Sequence, residues 1–191
     1  MRRRTAADLP ALVGILEAQR PSSGYPVRWP LPFPVEEFIA RRTEVAAWVA
    51  VDPDREDAVV GHVSLTDVAP GWEADGWGAG TGLPASALAA VSGLFVDPSA
   101  TGRGAGSTLL ATAVDHARAL ERTPVLDVVS ESSRAVALYE RDGWQVVGRA
   151  RPPWLPDDRE PLLLMALLAP APLANAVEPS VTEGDRPGRH G

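Results

Sequence analysis

The chain has 191 residues, 45% hydrophobic and 23% charged, a composition suited to one folded domain with a real core rather than a disordered or fibrous chain. It contains no cysteine, which excludes a disulfide framework, a thiolate zinc site and a cysteine nucleophile; all 18 basic residues are arginine, so lysine Schiff bases and lysine phosphate loops are excluded too. A net charge of -7 argues against a general nucleic-acid binder, because phosphate affinity comes from clustered positive charge.

Along the chain, "RRRTAA" predicts a first strand. "AADLPALVGILEAQ" predicts a helix with Leu9, Leu12, Val13 and Leu16 on one face and Asp8 near its start. Asp8 also interrupts what would otherwise look like a signal peptide, so the N-terminus reads as mature protein and the expected location is cytoplasmic. "RPSSGYPVRWPLPFP" predicts a loop and "VEEFIARR" a short helix. Residues 45–51 and 58–68 predict a hairpin across the polar turn "DPDRED". The stretch 69–84, rich in glycine and carrying Trp72 and Trp77, has neither period and predicts a flexible excursion.

Residues 87–96 predict a strand leading into "DPSATGRGAGSTLL", a glycine-rich turn that opens a helix with Leu109, Leu110, Ala113, Val114 and Ala117 facing a core. "PVLDVVS" predicts a strand, "SRAVALYERDG" a helix ended by Gly143, and "WQVVGRA" and "PLLLMALL" two last strands. From Pro170 the composition turns to proline, glycine and scattered charge. The organisation is therefore a domain over 1–169 and a disordered tail over 170–191. The apolar stretch before the tail is broken by Pro170 and Pro172 and predicts no membrane span.

The turn carries the chemistry. A strand delivering the chain to a helix N-terminus leaves free N–H groups and a helix dipole aimed at one place, which suits a pyrophosphate. Gly102, Gly104 and Gly106 leave the backbone bare and free to take positive φ, and Arg103 adds charge. A plain strand-to-helix turn is the alternative. The dinucleotide spacing G-x-G-x-x-G is not met from Gly102, where Ser107 takes the third glycine's place, nor from Gly104, where Leu109 does.

"LFVDPSATGRGAGSTLL" resembles the acyl-CoA-binding motif of the GNAT superfamily of N-acetyltransferases. "SSRAVALYERDGWQVVG" resembles that family's later tyrosine-bearing motif, in the right order and at a plausible distance. Two departures stand out: Thr101 replaces the usual glutamine or arginine, and Ser132 the usual asparagine. The resemblance implies an α/β fold with a mixed, mostly antiparallel central sheet flanked by helices and splayed between strands 4 and 5. It implies acetyl-CoA as acyl donor, attacked directly by an amine. Backbone groups of Leu94, Phe95 and Val96 would hold the pantetheine and thioester. Thr101, Gly102, Arg103, Gly104, Ala105, Gly106 and Ser107 would cradle the pyrophosphate, and Ser132 would contact the pantetheine arm.

Tyr139 matches the tyrosine that protonates the departing thiolate; outside the motif it would read as a packed core residue. Asp127, interrupting the apolar "VLDVV", corresponds to the acidic strand residue that acts as base in the ribosomal-protein alanine acetylases of the same family, or is an outward-facing carboxylate on an alternating strand. Glu131 and Asp67 are weaker bases, and His62 is either a proton shuttle or structural. The expected acceptor is a small amine, an amino acid, an antibiotic or a peptide N-terminus, bound among the aromatic-rich loops near residues 25–33, Trp72, Trp77 and Trp154. There Glu73, Asp75, Asp157 and Asp158 would suit a cationic amine or are solvated acids beside packed aromatics. No metal, membrane or nucleic acid is expected, and a homodimer is compatible with such folds. The alternatives are a catalytically silent acyl-CoA-binding module and a nucleotide-binding regulator using the same turn.

Overall fold

The computed structural model describes residues 1–130 and 133–169; Ser132, Glu131 and the expected tail lie outside them. Twelve regular elements follow the order β1 (Arg2–Arg3), α1 (Leu9–Ser23), α2 (Val35–Ile39), β2 (Glu44–Asp52), β3 (Ala58–Asp67), α3 (Trp72–Thr81), β4 (Leu88–Val96), α4 (Ala105–Ala119), β5 (Thr123–Val129), α5 (Ser133–Arg141), β6 (Gln145–Ala150) and β7 (Leu162–Ala166). The strands form one seven-stranded sheet in the order β1-β2-β3-β4-β5-β7-β6. Every pairing is antiparallel except β4 with β5. The expected sheet class is therefore the one observed.

Alternation along the strands assigns the two faces. Ala89, Val91, Leu126 and Met165 join α4 through Leu109, Leu110, Ala113, Val114 and Ala117, with Val136 and Tyr139 of α5 packed against them. The five α4 positions read from the sequence are all buried. On the opposite face, Leu88, Ala90, Val125 and Leu164 meet Trp77 of α3, and Val49 and Phe95 meet Leu12, Ile15 and Leu16 of α1.

The first strand falls within the expected stretch as two exposed residues paired with β2 at the sheet edge. Two expectations are corrected. The glycine-rich stretch contains a helix, α3, not a flexible excursion. Its glycines hid the period because they are needed for close approach: a Cβ on Gly76 would strike Leu164 Cδ1 and one on Gly80 would strike the Val147 carbonyl. Trp77 anchors this helix, fully buried and donating from Nε1 to the Leu126 carbonyl at 3.3 Å. α1 also runs on to Ser23, into the segment expected as loop, and stops at Gly24, whose φ of 69° ends it in the left-handed region.

Candidate active site

The parallel β4–β5 ladder consists of Leu88–Thr123, Ala89–Pro124 and Ala90–Val125, and then the strands part. A wedge opens through the sheet, and a cavity of about 680 Å³ fills it. Val91, Ser92, Gly93 and Leu94 form one wall and Leu126, Asp127, Val128 and Val129 the other. Because side chains alternate, Leu126 and Val128 point to the α4–α5 face whereas Asp127 points to the α1–α3 face. The cavity thus has a side facing Tyr139 of α5 and a side facing Asp127, joined through the gap.

On the Asp127 side the chain gathers residues from distant segments. Tyr25 follows α1, Arg41 follows α2, and Glu73 stands one turn before Trp77 on α3; all three line the cavity. Gln19 of α1 fixes the first, its Nε2 donating to the Tyr25 carbonyl at 2.6 Å, and the Tyr25 ring packs on Phe38 at 5.7 Å. Arg41 lies over the same Phe38 ring at 5.0 Å. The sequence offered Tyr25 only as part of an aromatic loop and gave no sign of Arg41, since no local pattern marks residues that meet only after folding.

Asp127 is open to the cavity yet sits on its floor among protein groups; this crowding raises its carboxyl above the usual range, with the Arg41 charge opposing. Glu73 is raised by burial, then by repulsion from Asp127, and again eased by Arg41. Tyr25 is pushed up to about 12 by burial. Tyr139 is raised further by burial and by the neighbouring Tyr25 and Asp127, so its phenol stays protonated. Its ring is held edge-on against buried Trp144 at 5.9 Å. These groups can accept a proton on one side of the gap and donate one on the other.

The remaining expected positions form a continuous run from the end of β4. Phe95 is buried against α1, while Leu94 and Val96 turn to the α4 face. Thr101 closes a single 3-10 turn, its Oγ1 donating to the Asp97 carbonyl at 3.3 Å. Gly102 and Gly104 have φ of 82° and 84°, and Gly104 caps α4 without any side-chain hydrogen bond to the first-turn amides. Ala105, Gly106 and Ser107 supply that first turn, and Thr101, Gly102, Gly104 and Ser107 are exposed. The Arg103 guanidinium lies 3.9 Å from Asp52.

His62, a candidate shuttle, is fully buried on β3 and lines no part of the cavity. Asp67 instead pairs with Arg122. Among the described residues no group of three or more histidine, aspartate or glutamate side chains could hold a metal, and no helix is long and apolar enough to cross a membrane.

Known structures share this architecture. A histone acetyltransferase HPA2 and related acetyltransferase from Corynebacterium glutamicum aligns with TM-score 0.65 and 23% identity over 90% of this chain and 97% of its own. The ribosomal-protein-S18-alanine N-acetyltransferase from Escherichia coli aligns with TM-score 0.61 and 20% identity, covering 90% and 96%. Arabidopsis thaliana NAA60 in complex with acetyl-CoA gives 0.64 and 18%, covering 86% and 96%. At these identities the likeness is one of fold. Among curated proteins no sequence match was found. The family model for the acetyltransferase (GNAT) family matches residues 12–144, most of the folded chain, and the protein belongs to that family.

Proposed function

We propose that the protein is an N-acetyltransferase that uses acetyl-CoA and transfers the acetyl group directly to an amine. The observation that carries this reading is the position of Asp127 and Tyr139 on opposite sides of one gap in the sheet, with the exposed glycine turn at the end of the strand that forms its wall. In this reading the exposed amides from Thr101 to Ser107, aided by the α4 dipole, hold the diphosphate. The β4 backbone at Leu94 to Val96 holds the pantetheine and the thioester, and Ser132 contacts the arm.

The amine enters from the Asp127 side. Its nitrogen attacks the thioester carbonyl, Asp127 takes the amine proton, directly or through one water, and the C–S bond breaks. The sulfur leaves toward Tyr139, which donates its phenolic proton to the thiolate. A phenol held above its ordinary pKa remains a donor throughout the physiological range. Glu73 adds an acidic group to the acceptor side, which attracts a cationic amine. The ammonium first releases one proton to solvent, and Asp127 takes the proton lost on attack, while Arg41 keeps two neighbouring carboxyls tolerable.

Release of free coenzyme A thiol from acetyl-CoA across a panel of small amines, amino acids, aminoglycosides and peptide N-termini tests the reading. Turnover on at least one of them, reduced about 100-fold in Tyr139→Phe with little change in acetyl-CoA affinity, is the expected result. Acetyl-CoA binding with no turnover on any amine would instead support a silent acyl-CoA-binding module. No binding of acetyl-CoA would overturn both.

A further inference from the structure

β4 carries a bulge beside the gap. Its register with β3 passes from Ser64–Ser92 to His62–Phe95, so β4 holds one residue more than β3 between these pairs. The extra residue resets the alternation: Ala89 and Val91 face α4 before it, Leu94 and Val96 after it. Gly93 lies in the bulge with φ of 58°, where a side chain would be strained, and an added Cβ would lie 3.4 Å from the His62 ring.

The His62 ring occupies the place the bulge creates. Its Nδ1 is 2.8 Å from the Gly93 carbonyl oxygen. That oxygen only accepts, so Nδ1 carries the proton. The ring is fixed beside Phe95 at 5.3 Å, and among the described residues its Nε2 has no hydrogen-bond partner. Burial, with Arg4 and Arg41 nearby, drives the imidazole down to about 4, so it stays neutral and keeps Nδ1 as its donor at working pH.

A trans peptide holds its C=O and N–H antiparallel. With the Gly93 oxygen drawn to the β3 side, the Leu94 N–H of the same peptide points the other way. The strand agrees: Asp97 N donates to Val60 of β3, so two residues back Phe95 also faces β3, and Leu94 and Val96 face the gap. The β4–β5 ladder has already ended at Ala90–Val125, so β5 supplies no ladder partner for that amide.

We infer that His62 is a positioning residue for acyl transfer: by holding the Gly93 carbonyl in the bulge it aims the Leu94 N–H into the β4–β5 gap, at the thioester carbonyl of the donor. This rests on the acetyl-donor reading above. His62 touches neither substrate; it acts through the peptide plane. A donor aimed at developing oxyanion charge, already fixed before reaction, lowers the barrier without reorganisation.

Carbonyl-labelled [1-¹³C]acetyl-CoA bound to the full chain gives a readout that needs no acceptor. Its isotope-edited infrared C=O band is expected below that of free acetyl-CoA in the wild type, and back toward the free value in His62→Phe. His62→Gln, whose amide can still donate, restores most of the shift, and coenzyme A affinity stays within about twofold because the diphosphate site is remote. A band unchanged between wild type and a folded His62→Phe overturns the assignment. Should that variant not fold, wild-type NMR decides. The Leu94 amide proton is expected to move downfield with acetyl-CoA more than with coenzyme A, and equal responses overturn it. If the wild type binds coenzyme A but leaves the acetyl carbonyl at its free frequency, His62 has no such role. If it binds neither, the donor reading itself has failed.

Discussion

Gly80 of α3 lies directly against the Val147 carbonyl of β6, with no room between them for a methyl group. Gly76, one turn earlier, meets instead the tip of the Leu164 side chain. The two contacts differ in what can yield. Leu164 can change rotamer, whereas a strand carbonyl moves only with its backbone. Gly80→Ala is therefore expected to lose about 3 kcal/mol or more and Gly76→Ala about 1 kcal/mol, despite the intrinsic helix gain from alanine. Chemical denaturation of both variants checks the order; equal losses would mean that α3 shifts as a body.

The same glycines explain what the sequence concealed. α4 was legible because Leu109, Leu110, Ala113, Val114 and Ala117 repeat an ordinary amphipathic period. α3 was not, because its contact face is made of missing side chains, and absence leaves no hydrophobic signal. At the candidate site, Tyr139 and Asp127 were legible as candidates because each sits in a local pattern. Tyr25 and Glu73 were legible only as members of separate aromatic and acidic loops, and Arg41 not at all, because the three converge only through tertiary packing. The bulge at Gly93 was invisible for another reason: an inserted residue in "AVSGLFV" looks like continuous apolar strand, and only the register against β3 exposes it.

The glycine turn can be tested apart from packing. A Cβ on Gly104 would meet nothing within 4 Å, but φ is 84°, so alanine there pays only for backbone strain, about 1–2 kcal/mol. It would also thrust a methyl group among the amides proposed to hold the diphosphate. Gly104→Ala is expected to lower Tm by about 2–8 °C and to weaken acetyl-CoA binding about tenfold or more. Calorimetric titration with acetyl-CoA separates the two effects. A stability loss with unchanged affinity would remove the diphosphate from this turn.

Asp127, the proposed base, should cost stability when ionised. Its carboxyl, open to the cavity, is raised in the fold by the protein groups crowded round the cavity floor, with Arg41 opposing, so the protonated form suits the folded state and ionisation opposes it. The stabilising contribution is complete below the unfolded value near 3.8 and is lost as pH rises through the higher folded value. Asp127→Asn removes the charge but keeps the shape. At pH 7 it is expected to raise Tm and to cut turnover about 100-fold, with the Tm advantage vanishing below about pH 4. Wild-type rate should fall as pH drops through the raised Asp127 value, with that limb absent in the variant. A variant that melts lower than wild type at pH 7 would show that Asp127 holds structure rather than a proton.

Asp8 runs the opposite way. Its Oδ2 accepts from Thr5 N at 2.7 Å, Thr5 Oγ1 at 2.9 Å and Arg2 Nη1 at 2.8 Å, and its Oδ1 from Arg2 Nη2 at 2.6 Å. The Arg2 hydrogen bonds lead in pulling the carboxyl far below the usual range, against the cost of burial. The stability this contributes is present above the unfolded value of 3.8 and is lost as pH falls through the folded one. Arg2 is 44% exposed, which weakens the pair, so Asp8→Asn is expected to cost about 1–2 kcal/mol at pH 7. The difference from wild type should shrink steadily in acid, where Asp127→Asn loses its advantage. Urea titrations at pH 7 and pH 3 on both variants check the pair of signs. A pH-independent loss in Asp8→Asn would assign the effect to the Thr5 turn, leaving the Arg2 charge without a share.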